Sequence, residues 1–176
     1  MAPQEKTEIL QNLERSRQDF LDAVAGLSES DARHRPDPDR WSVLDCVEHV
    51  AFVEERFLGW LDNAEKSGAP RADKAKEADL MGRVPDRSAR LKAPDAALPN
   101  GRFATLAQAI ERFEAMRARS IQAAEQRASE LYSLAAHHPR FGPVNGVELM
   151  IIIAGHSRRH AEQIRETRAA SKKALK

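Results

Sequence analysis

The sequence predicts an all-α fold, a four-helix bundle formed by a single domain over residues 1–176. Four segments carry apolar residues three or four positions apart, which is the period of a helix that buries one face. No segment shows convincing strand alternation. The length suits one core that is large enough to fold without a disulfide or a structural metal.

The first two helices have clear stripes and recognisable ends. The first is predicted over residues 4–26, where Gly26 ends the helix. Ser42, with Asp45 three positions later, has the pattern of a capping box, in which each side chain bonds a free amide of the first turn. The second helix therefore begins after Ser42 and continues to about Lys66.

A long connection follows over residues 67–104. It holds four prolines and three glycines and no sustained apolar period, so we expect at most one short helical turn, at about residues 75–81. A connection of this length can cross the whole bundle, which allows the second and third helices to run parallel. We therefore predict an up-down-down-up topology.

The last two helices are predicted over residues 105–129 and 146–168. Thr105 and Asn145 lie at the two starts, and each has a capping-box partner three positions later. The segment between them at residues 137–143 is rich in histidine, proline and glycine, and is predicted to be irregular.

Composition excludes several classes of protein. The 28 Lys and Arg residues nearly balance 27 Asp and Glu, and only 5% of residues are aromatic, which argues against nucleic-acid binding. The longest apolar run has seven residues, whereas a membrane span needs about 20. The charged N-terminal residues do not fit a signal peptide, so we expect a cytoplasmic protein. The single cysteine, Cys46, excludes an intrachain disulfide.

His156 and His160 are the first candidate metal ligands. Their i,i+4 spacing puts both rings on one face of the fourth helix, as a helix must do to offer two nitrogens to one metal ion. They share that face with Ile152 and Ile153. The alternative is a pair of core histidines, and each ring would then need hydrogen-bond partners to offset the cost of burial.

His49 is the best candidate for a third ligand. It lies at the margin of the apolar stripe of the second helix, about 10 Å from that helix's start. His156 and His160 lie about 10 to 15 Å from the end of the fourth helix. Antiparallel packing of these two helices, as in the predicted topology, would place the three histidines at the same height along the bundle axis.

Other polar residues have simpler interpretations. Cys46 is expected to be a small buried hydrophobe rather than a fourth ligand. His137 and His138 lie in the proline-rich segment and are expected to face solvent or line the rim of a site. Glu48 and Glu162 adjoin or flank the histidines, but neighbouring helical positions point about 100° apart, so neither is predicted as a general base.

Three segments resemble the DinB-like (DinB/YfiT) superfamily, in the family's order and at compatible separations. They are WSVLDCVEHV at 41–50, HPRFGPVNG at 138–146 and HSRRHAEQI at 156–164. The resemblance implies an up-down-down-up four-helix bundle, often dimeric, in which three histidines bind a divalent metal. His49, His156 and His160 occupy those positions. Arg159 and Gln163 match the family's pattern in the third segment. They are expected either to support the histidine ligands or to form ion pairs and hydrogen bonds on the surface. Trp41, in the first segment, is expected to plug one end of the bundle as a hydrophobic staple.

The resemblance also limits the possible functions. Members of the superfamily include S-transferases and isomerases that use bacillithiol or mycothiol, and many members have no assigned reaction. We predict a metal-dependent enzyme acting on small molecules by thiol transfer or hydrolysis, with zinc or nickel bound and a homodimeric assembly. The alternative is a non-catalytic metal- or ligand-binding bundle that serves as a dimeric stress-response module. A net charge of +1 gives no support to a DNA-repair role.

Overall fold

Helices dominate the part of the chain that the structure describes. The computed structural model describes residues 1–66 and 71–174, with side chains up to residue 171. In chain order its helices and strands are α1 (Pro3–Val24), α2 (Glu29–Arg33), α3 (Val43–Asp62), β1 (Glu65–Lys66), α4 (Lys74–Arg83), α5 (Leu106–Gln126), β2 (Leu134–His138), β3 (Gly142–Asn145) and α6 (Gly146–Ala174). Short 3-10 turns lie at Asp95–Ala97 and Leu131–Ser133.

The four long helices form the predicted bundle. α1 packs against α5 and α6, and α3 packs against the same two helices. Their apolar stripes meet in two buried clusters, one built around Phe57, Leu61 and Ile152 and the other around Phe20 and Phe113. At about 25 cal/mol per Å², burial of these stripes is the main force that holds the helices together. No helix in the described ranges is both long and apolar enough to cross a membrane.

The predicted helix caps are present. Ser42 and Asp45 bond reciprocally at the start of α3, with N–O distances of 2.8 and 3.1 Å. Asn145 and Glu148 do the same at the start of α6, at 2.9 and 3.0 Å. At α5 only half of the predicted capping box forms: the Thr105 hydroxyl accepts the Gln108 amide, whereas the Gln108 side chain accepts the amide of Ala104 instead of that of Thr105. These caps fix where the two histidine-bearing helices α3 and α6 begin.

A small sheet corrects the all-α prediction. β2 pairs antiparallel with both β1 and β3, and residues 137–143, predicted to be irregular, lie in and between the two strands of a hairpin. Pro143 is tolerated because β3 is an edge strand, where a missing N–H breaks no ladder. Gly142 adopts φ +69°, a left-handed conformation that suits glycine at the turn.

Several helix boundaries also differ from the prediction. α3 ends at Asp62 rather than near Lys66, and α6 continues six residues beyond Arg168. The expected short turn in the long connection is the ten-residue helix α4, while α2 was not predicted at all. α4 buries only Glu77 and Leu80, so its sequence carries too little apolar period to be recognised as a helix.

Candidate metal centre

Three histidines converge at the contact between α3 and α6. His49 comes from α3, while His156 and His160 lie one turn apart on α6. One ring nitrogen from each lies within 4.8 Å of the other two. Within the described ranges no other cluster of three or more histidine, cysteine or acidic side chains has spacing that could hold a metal ion. The predicted grouping of the three rings is therefore present.

The His49 ring is held in one tautomer. Its Nδ1–H donates to the carbonyl oxygen of Ala97 at 2.7 Å, because a carbonyl can only accept. In the neutral ring Nε2 then carries the lone pair, and it lies 3.2 Å from Nε2 of His156. Two nitrogens bound to one zinc ion at about 2.0 to 2.1 Å would be roughly 3 to 3.5 Å apart. The separation of the two rings fits ligands of a single ion.

The burial of the rings also fits a metal. Nδ1 of His160 is buried and has no hydrogen-bond partner among the described residues, an uncommon state for a buried polar atom. Burial lowers the pKa of His49 to about 4 and holds the pKa values of His156 and His160 well below the ordinary 6.5. All three imidazoles are therefore neutral near pH 7, which is the form that ligates a metal.

Trp41 forms one wall of the histidine cluster. Its ring centroid lies 4.8 Å from that of His49 and 6.1 Å from that of His160, with the His160 ring nearly parallel at 13°. The residue packs against a core cluster, as a staple would. Its contact with two of the three histidines gives it a second role that the sequence analysis missed.

Glu48 holds the loop that orients His49. Its buried carboxylate accepts the backbone N–H groups of Asn100 and Arg102 at 2.7 and 2.9 Å, and also the Arg102 side chain at 2.8 Å. This loop directly follows Ala97, whose carbonyl binds His49. Glu48 is thus placed to position the cluster through this loop.

A cavity of about 880 Å³ opens onto the three histidines. α3, α6, the β2–β3 hairpin and the long connection all contribute to its lining, which includes both tryptophans, Trp41 and Trp60. His138 lines it too, as a rim residue would, whereas His137 is exposed and lies elsewhere. Nδ1 of His138 accepts the amides of Arg140 and Phe141, which leaves its Nε2–H as a donor.

The remaining sequence candidates lie outside the cluster. Cys46 is fully buried in the apolar core, and burial raises the pKa of its thiol. Glu162 is exposed and pairs with Arg165 at 3.3 Å. Gln163 lines the cavity and accepts a hydrogen bond from Arg87 at 3.2 Å.

The long connection supplies part of the site that sequence reasoning missed. It contributes the Ala97 carbonyl as well as Arg83, Arg87, Arg90 and Lys92, which line one side of the cavity. The density of basic residues between positions 83 and 92 was the only signal in the sequence. It did not indicate a site, because charge clusters in proline-rich connections usually face solvent.

Residues 12–164 match the model of the DinB superfamily. Among solved structures, the fold is similar to that of YfiT from Bacillus subtilis, with a TM-score of 0.62 and 16% identity over 99% of this chain and 90% of that chain. YfiT is described as a probable metal-dependent hydrolase with an unusual four-helix bundle topology. None of the curated proteins is significantly similar in sequence. Because the family model spans most of its length, this chain belongs to the DinB superfamily.

Proposed function

We propose that His49, His156 and His160 bind one divalent metal ion, zinc or nickel, and that the protein is a metal-dependent hydrolase of small molecules. The observation that carries the proposal is the convergence of three neutral imidazoles, two buried and that of His156 half-buried, on a cavity of about 880 Å³. A cavity of this size suits a small-molecule substrate. The description of YfiT as a probable metal-dependent hydrolase supports the reaction type.

The residues around the site have separate tasks in this proposal. His49, His156 and His160 would hold the divalent ion, which when bound would supply a lowered pKa for a water or thiol and polarisation of a substrate oxygen. Ala97 keeps His49 in the tautomer that presents Nε2. Trp41 shields the His49 and His160 rings from solvent on one side. His138 offers an N–H to a substrate oxygen in the same cavity.

We also propose the up-down-down-up order for the four long helices. Two ion pairs join α3 to α5, between Glu55 and Arg112 and between Asp62 and Arg119. The residue numbers rise together along both helices, as expected for parallel neighbours. Parallel packing across the long connection distinguishes this order from a simple up-and-down bundle.

Two alternatives use the same histidines. In thiol S-transfer the sulfur nucleophile would be a low-molecular-weight thiol from solution, since Cys46 is buried in the core. In a non-catalytic bundle the metal would have a binding or structural role only. The expected homodimer stays a prediction, which sedimentation of the metal-loaded protein can test.

An activity screen separates these functions. Protein stripped of metal and then loaded with zinc or nickel is assayed on a panel of small esters, amides and phosphate esters, and separately with a low-molecular-weight thiol and an aryl halide. We expect metal-dependent hydrolysis that His156→Ala abolishes and His137→Ala, the exposed control, retains. Turnover only in the thiol assay would favour S-transfer, and no turnover in either assay would favour the non-catalytic bundle.

A further inference from the structure

Arg159 is a buried arginine with an unfilled hydrogen-bonding capacity. It precedes His160 on α6, is 7% exposed and lines the cavity. Its Nη2 donates to the carbonyl oxygen of Ala89 at 2.8 Å, which anchors the guanidinium. Its Nη1 is buried and finds no hydrogen-bond partner in residues 1–66 or 71–171. The carboxylates of Asp86 and Glu166 act on it only at longer range.

Arg117 shows what a purely structural buried arginine looks like in the same chain. Its three guanidinium nitrogens all have partners. Nε and Nη2 donate to the Glu54 carboxylate, Nη2 also donates to the Ser157 hydroxyl, and Nη1 donates to the Ser16 hydroxyl and the Leu13 carbonyl. A buried charge without such partners is costly to keep. Nη1 of Arg159 has no such partner, whereas Nη1 of Arg117 has two. A role in packing alone therefore does not explain why Arg159 is buried here.

The cavity around Arg159 is strongly basic. Among the described residues, eight arginine or lysine side chains line it against two acidic ones, in a chain whose net charge is only +1. Arg87 is already paired with Glu166 at 2.7 Å, so its charge is largely neutralised. Arg140, on the hairpin, is exposed and close enough to act on Arg159 electrostatically. The basic residues therefore create a positive potential in the cavity. Arg159 adds to it an Nη1 group that is free to donate a hydrogen bond.

We propose that Arg159 forms an oxyanion-binding subsite beside the three histidines, and that the substrate carries a carboxylate or phosphate group that binds there. A guanidinium suits either anion because its N–H groups match the spacing of two oxygens. The substrate assignment rests on the proposed hydrolase function. The anion site itself does not, because it belongs to the protein without metal.

Tryptophan fluorescence offers a direct test. The chain has two tryptophans, Trp41 and Trp60, and both line the cavity. Metal-free protein is titrated at constant ionic strength with inorganic phosphate and, separately, with succinate. We expect a saturable change with at least one anion, and Arg159→Gln should weaken that binding about tenfold or more because it removes a charge-assisted hydrogen bond. The tighter anion identifies the substrate's acidic group.

Arg158→Gln is the matched control. It removes the same charge from the neighbouring residue of α6, which does not line the cavity, and should change the dissociation constant by less than twofold. If Arg159→Gln fails to give the wild-type circular dichroism, Arg159→Lys replaces it, and we expect at least threefold weaker binding because the fork geometry is lost. The proposal is overturned if neither anion saturates, if the Arg159 variant binds as tightly as wild type, or if Arg158→Gln weakens binding equally. Metal content measured on the same samples shows separately whether the proposed metal site has failed.

Discussion

Glu54 of α3 and Arg117 of α5 form a fully buried, two-pronged ion pair at 2.8 and 3.0 Å. Arg117 also donates to the hydroxyls of Ser16 on α1 and Ser157 on α6, so the network joins all four long helices. Along α1, α5 and α6 the residues of this network lie between the two apolar clusters of the core, and on α3 Glu54 lies next to Val53, where one cluster meets the other. Such a polar layer favours one alignment of the helices, because sliding α3 or α5 would separate the buried charges and sliding α1 or α6 would break a buried hydrogen bond to Arg117.

Removing one partner of this pair should be strongly destabilising. Glu54→Ala leaves the Arg117 guanidinium buried without its counter-charge, and we expect the free energy of unfolding in urea to fall by about 3 to 5 kcal/mol. Asp19→Ala is the control, because it breaks a half-exposed pair with Arg165 and should cost about 1 kcal/mol or less. Equal losses in the two variants would contradict the role given to the buried pair.

Two helical glycines should respond in opposite directions to alanine. A Cβ at Gly155 would lie 2.8 Å from Cβ of Val84, a backbone-anchored atom that cannot swing away. At Gly59 the same Cβ meets no atom within 4 Å. We expect Gly59→Ala to stabilise by about 0.5 to 1 kcal/mol and Gly155→Ala to destabilise by about 1 to 2 kcal/mol, as measured by urea unfolding. A stabilised Gly155→Ala would show that α4 packs less tightly on α6 than described.

The metal-free protein should lose stability as the pH falls from about 6.5 to 4. Burial lowers the pKa of both His49 and His138 to about 4, so over this range the unfolded chain binds protons that the folded chain does not. The free energy of unfolding is therefore highest above pH 6.5. As the pH falls below that value it decreases by up to about 1.4 kcal/mol per pH unit for each ring, and by less for the half-buried His138. Urea midpoints measured across this range test the slope. His138→Gln should reduce the slope of stability against pH, and the exposed His137→Gln should leave it unchanged. The same slope in both variants would show that His138 does not contribute to this pH dependence.

The sequence predicted the parts of the molecule that depend on local pattern. Stripes three and four residues apart predicted the four long helices because burial of one helical face leaves that period. The i,i+4 pair His156 and His160 was recognisable for the same reason. The β2–β3 hairpin could not be predicted because its strands are short and because Pro143 is typical of an irregular segment. Only the structure shows that Pro143 lies in an edge strand, where proline is tolerated. Trp41 and Arg159 gain their positions at the cavity only from the packing of distant segments, which leaves no periodic signal.

Glu48 should affect metal affinity without touching the metal. Glu48→Gln replaces a carboxylate oxygen that accepts loop amides by an NH₂ group that cannot, which loosens the loop following Ala97 and its hold on His49. We expect zinc affinity to fall about tenfold, as measured by competition with a chromophoric chelator. Exposed Glu162, two positions after His160 in sequence, provides the control: Glu162→Gln should bind zinc as wild type does. An unchanged affinity in Glu48→Gln would remove this residue from the site.

The metal content of the purified protein shows whether the three histidines bind an ion. Wild type, His156→Ala and His137→Ala are each incubated with zinc or nickel, desalted and analysed by mass spectrometry for bound metal per chain. We expect about one ion per chain in wild type and in His137→Ala, and almost none in His156→Ala, because two imidazoles alone hold a metal weakly. Circular dichroism should show that His156→Ala is still folded, since the core is large enough without metal. Equal metal content in wild type and His156→Ala would contradict the three-histidine site.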